Sequence, residues 1–237
     1  MKRTLSIAVL GLLFAASAAL ADAENPKLLP GKDPGGTAVA VIADGFDYTQ
    51  SDLAAHLARD GEGEAIAHDS VDGDHRPFVK GADGTALALA AAQYPGVRLV
   101  IVRADPASVE SLARSLKFVT FTPARIIVVP LSAEHRSHLS LIAAAAKSLG
   151  SLLIVTSVPA PTPEEHAQAD SVANLALFDA DQSPFVAAEA VARGFGCDQK
   201  LEAGDSGEAL KAALSARLKD ETSASCEPKS AAETKDR

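Results

Sequence analysis

The chain has 237 residues, 47% of them hydrophobic, with a formal net charge of −9 and no tryptophan. An acidic surface is unsuited to neutralising phosphates, which excludes nucleic acid and anionic membrane faces as expected partners. Scarce aromatic residues likewise exclude a surface built to stack on sugars or bases.

Residues 1–21 have the three parts of a secretory signal: Lys2-Arg3, an apolar run from Leu5 to Leu20, and Ala19-Leu20-Ala21 as an A-x-A site. The run is short for a spanning helix, so cleavage before Asp22 and a periplasmic or secreted location are expected. No membrane association beyond that signal is expected. Residues 22–37, rich in Pro and Gly, read as an extended lead-in. Residues 38–219 read as a single domain, and the polar stretch 220–237 as a disordered tail.

Within the domain, strands are expected near 38–43, 64–67, 97–103, 125–131, 151–157 and 172–178. Helices are expected near 51–59, 84–94, 107–118, 134–149, 183–194 and 206–219. The strand runs are continuously apolar rather than alternating, the pattern of a parallel sheet covered on both faces. The fold class is therefore α/β: a three-layer α/β/α sandwich with a mostly parallel sheet.

Cys197 and Cys226 both lie near the C-terminus. In an oxidising compartment they could form a disulfide contributing about 3 kcal/mol, or remain two thiols. Asp69, Asp72 and Asp74, in a Gly-containing loop between His68 and His75, offer oxygen donors for Ca²⁺. Their spacing is not that of a complete EF-hand loop, and a solvated acidic loop is the simpler expectation; no other cofactor is expected. His135 and His138 are spaced to share a helix face, but zinc would need a further ligand. Ser132 and Ser157 close expected strands outside any G-x-S-x-G, with no base assigned to either.

The segment 39–53, VAVIADGFDYTQSDL, resembles the aspartate motif of subtilisin-like serine proteases, with Ala43 at the position of the family's aspartate. Gly81-Ala82-Asp83-Gly84-Thr85 resembles the histidine motif, with Asp83 at the histidine position. Residues 152–159 resemble the strand ending in the oxyanion asparagine, and Pro159 takes that place. Residues 179–188, DADQSPFVAA, resemble the serine motif that opens a buried helix, with Ala180 at the nucleophile position. The resemblance covers about residues 38–195 and implies a subtilisin-like fold. It also implies a pseudo-protease, because Ala, Asp, Ala and Pro supply none of the orienting acid, base, nucleophile and oxyanion donor.

In that register Asp44, Asp83, Asp179 and Asp181 are expected around the emptied site, able to bind a cation or a basic side chain. Val129 and Leu131 lie on the stretch resembling the family's substrate-pairing edge, where an extended peptide could add, although Pro130 brings no N–H. A protein or peptide partner is therefore expected. Two alternatives stay open: a divergent endopeptidase using other residues, and an unrelated periplasmic α/β ligand-binding domain.

Overall fold

The computed structural model describes residues 25–181, 183–196 and 205–219. The segment expected to be a signal (residues 1–21), both cysteines and the segment expected to be a tail (220–237) lie outside the described residues.

Six strands form one all-parallel sheet in the order β2-β3-β1-β4-β5-β6. They are β1 (Thr37–Ala43), β2 (Ala67–Asp69), β3 (Val97–Arg103), β4 (Ile126–Pro130), β5 (Leu153–Val158) and β6 (Leu175–Asp179). Helices α1 (Ser51–His56), α2 (Asp83–Ala91), α6 (Val186–Phe195) and α7 (Gly207–Lys219) cover one face. Helices α3 (Val109–Val119), α4 (Leu139–Ser148) and α5 (Pro163–Asp170) cover the other. This is the expected three-layer sandwich.

The alternation of side chains explains why the strands read as unbroken apolar runs. In β1, Val39 and Val41 enter the core beneath α2 and α6, whereas Ala38, Ala40 and Ile42 enter the core on the α3–α5 face. Both sets are buried, so neither face of the strand has room for polar residues.

Several boundaries differ from the sequence expectation, each for a local reason. Strand β2 begins at Ala67 rather than near residue 64, because the preceding residues turn back: Arg59 bridges Ala65 in antiparallel fashion. Asp60 closes that turn by accepting the N–H groups of Glu62 and Glu64. The 134–149 segment splits into a 3₁₀ turn (Arg136–His138) and α4. Helix α5 is additional to the helices expected from the sequence; Thr162-Pro163-Glu164-Glu165 starts it with a complete capping box and Pro in the first turn. Helix α6 starts at Val186, not 183, because Ser183 precedes Pro184 and that position disfavours helical backbone.

The described part of the lead-in, residues 25–36, lies outside the helices and strands and is tied to the domain. Asp33 accepts the backbone N–H groups of Gly35 and Arg59, and pairs with Arg98 at 2.7 Å. Burial raises its pKa, but those donors outweigh it and hold the carboxyl below its usual range. The Tyr48 hydroxyl donates to the carbonyl of Pro26 at 2.7 Å, and burial pushes its pKa up to about 12. Among the described residues no helix is long and apolar enough to cross a membrane.

Candidate functional site

The sheet opens between its two central strands. Pairing of β1 with β4 ends at Val41↔Val128, while β1 stays with β3 to Ala43↔Arg103 and β4 stays with β5 to Pro130↔Ser157. β1 continues toward β2 and β3, and β4 toward β5 and β6, so the gap is a topological switch point. A cleft of about 670 Å³ occupies it.

All four positions that resemble catalytic ones line this cleft: Ala43, Asp83, Pro159 and Ala180. Asp44, Val129 and Leu131 line it too. Val129 and Leu131 are buried, at 3% and 7% exposure, so they present little surface of their own. Asp179 and Asp181 are not in the lining. The Asp179 carboxylate instead accepts the N–H groups of Ala160 and Asp181, bracing the end of β6. Ala180 follows β6 directly and lies in the loop before α6, rather than opening a helix as its motif does in the family.

Local structure explains how Asp83 reaches β1. After the Asp44-Gly45 turn, Phe46 forms a parallel bridge with Phe78, and its N–H donates to the carbonyl of Pro77. The Asp47 N–H donates to Thr85 Oγ1 at 2.7 Å, fixing the first turn of α2 against the exit from β1. Gly84 permits the approach: a Cβ there would lie 2.2 Å from the Gly45 carbonyl oxygen and 2.7 Å from the Ala43 Cβ. Asp44 and Asp83 are solvent-exposed at the mouth of the cleft.

The far edge is set by Pro159 and Ala160. Ala160 has φ of +43°, a left-handed backbone that alanine adopts at a cost of about 1–2 kcal/mol. Arg136 holds the corner by donating to the Pro159 carbonyl at 2.7 Å. Nearby, the Ser132 hydroxyl lies 2.9 Å from His135 Nδ1, and the His135 ring stacks on His138 at 5.7 Å. Both histidines and Ser132 line the cleft. The sequence carries this pair as Ser-x-x-His, but both residues lie in the turn between β4 and the 3₁₀ segment, where periodicity gives no signal that they face each other. Ser157 is only 1% exposed, and its Oγ has no hydrogen-bond partner.

The acidic loop after β2 lies elsewhere. Arg103 pairs with both Asp69 and Asp72 at 2.8 Å, so a guanidinium takes up carboxylate oxygens that the loop could otherwise have offered to Ca²⁺. The other Asp69 oxygen accepts the N–H groups of Val71 and Asp72, and Asp74 accepts that of Arg76. Among the described residues no group of three or more His, Cys, Asp or Glu side chains is placed to hold a metal ion.

No family model matches the chain, and no curated protein matches it. Among solved structures, the chain is similar to a cold-adapted subtilisin-like serine proteinase at 15% identity and a TM-score of 0.35. The match covers 57% of this chain and 54% of that one, so the chain spans about half the length of that enzyme.

Proposed function

We propose that this chain is an exported peptide-binding domain with a subtilisin-like fold and no triad-based peptidase activity. The observation that carries the reading is the convergence of Ala43, Asp83, Pro159 and Ala180 on one cleft. Those side chains can neither attack a carbonyl, accept the nucleophile's proton as a histidine would at a triad, nor donate to an oxyanion. The cleft itself persists, with apolar walls and a few polar groups, as expected of a binding site. Export by residues 1–21 places its partners in the periplasm or outside the cell.

A second reading rests on Ser132 and His135, which are within hydrogen-bond reach of each other in the same cleft. It makes the chain a hydrolase with a displaced dyad. Against it, no carboxylate orients His135 among the described residues. Fluorophosphonate labelling read by intact mass separates the two. The binding reading predicts an unmodified mass, and a stoichiometric adduct lost in Ser132→Ala would establish the hydrolase.

A further inference from the structure

Three carboxylates, Asp44, Asp83 and Asp105, line the cleft, and neither Lys nor Arg does. Most of the remaining lining is apolar. The cleft also contains a buried polar group without a partner. Along β5, Leu153, Ile154, Val155 and Val158 are apolar and buried, and the Thr156 hydroxyl donates to the Val129 carbonyl at 2.7 Å. Ser157 alone departs from this pattern: it is 1% exposed, its Oγ is unpartnered, and it lines the cleft. Val155 points into the core beneath α2 and α6, so Ser157, two residues on, projects from the same face of the sheet. That is the face of Ala43, which packs against the same core. Buried hydroxyls are normally hydrogen-bonded, and one left open at a strand end inside a cleft is placed to bond a ligand.

We infer that the cleft takes a peptide segment carrying a lysine or arginine among apolar residues. Its cationic end lies against Asp44, Asp83 and Asp105, and a backbone carbonyl of the segment accepts from Ser157 Oγ. This rests on the peptide-binding reading above and gives it a chemical class. An acidic segment is disfavoured because its carboxylate would meet three others in a cleft lined by neither Lys nor Arg. The apolar walls take the flanking side chains and the methylene stem of the basic residue.

The test is selection of a displayed random heptapeptide library on the immobilised protein, followed by fluorescence polarisation with an enriched peptide. Enrichment of Lys or Arg flanked by apolar residues is expected. Replacing the basic residue by norleucine should weaken binding about tenfold, and the Asp44→Asn, Asp83→Asn double variant should erase that difference. Ser157→Ala should weaken the basic and norleucine peptides by the same factor. Enriched peptides without a basic residue, or equal binding of the norleucine form, would overturn the charge assignment while leaving peptide binding intact. Unchanged affinity in Ser157→Ala would remove the serine from the account. No enrichment over a blank surface would overturn the peptide-binding reading itself.

Discussion

Ala43 and Gly84 meet at the mouth of the cleft, so closely that a Cβ on Gly84 would lie 2.7 Å from the Ala43 Cβ. The end of β1 and the first turn of α2, which Asp83 opens, are thus pressed together. Gly84→Val should therefore destabilise the fold by about 1–3 kcal/mol through overpacking. Urea denaturation checks this, and an unchanged midpoint would mean that α2 does not seat against β1 as described.

Arg103 is the only cation paired with the fully buried Asp69 among the described residues. Removing it leaves a buried carboxylate uncompensated, so Arg103→Met should cost about 3–5 kcal/mol. Adding Asp69→Asn to that variant should restore part of the loss, measured by the same denaturation.

The same arginine bears on calcium. It occupies oxygens of Asp69 and Asp72 that a metal would need. Millimolar Ca²⁺ should raise the Tm of Arg103→Met more than that of the parent. Equal responses would show that Arg103 does not compete with the ion.

Two groups make stability depend on pH in separate windows. Burial lowers the pKa of His68, which stacks on Phe118 at 4.5 Å, below its ordinary 6.5. The folded protein then binds fewer protons at this site than the unfolded chain, so its contribution is complete above 6.5. It is lost as pH falls from there through the folded value. Asp33, held below its ordinary 3.8, repeats this sign in the acid range. His68→Phe should flatten the first loss of Tm and Asp33→Asn the second; parallel pH profiles of parent and variants would contradict the assignments.

Ala160 carries a left-handed backbone at the cleft edge, with φ of +43°. Ala160→Gly should raise stability by about 0.5–1 kcal/mol, because glycine adopts that conformation without the Cβ penalty. A loss of stability would show that the strain is not relieved by removing the methyl group.

The central sheet was legible because β1 and β3 are buried on both faces and therefore apolar throughout; residues 97–103 were placed as observed. Less of the periphery was legible. β2 has three residues, too few for a periodic signal, while α5 announced itself only through its capping box. The four motif positions share one cleft because of where the elements end: Ala43 closes β1, Asp83 opens α2, and Pro159 and Ala180 directly follow β5 and β6. The placement of Asp179 was not legible, because its carboxylate is committed to backbone N–H groups that only the folded corner brings near it. Nor was the open hydroxyl of Ser157, which requires knowing what its neighbours on β4 and β5 bond to.

The cleft is proposed to hold peptides without cutting them. The most direct test is to pass a defined peptide mixture over the immobilised protein and sequence both the retained and the unbound peptides by mass spectrometry. A retained set rich in basic and apolar residues is expected, with every peptide at its original length. New termini in either fraction would contradict it.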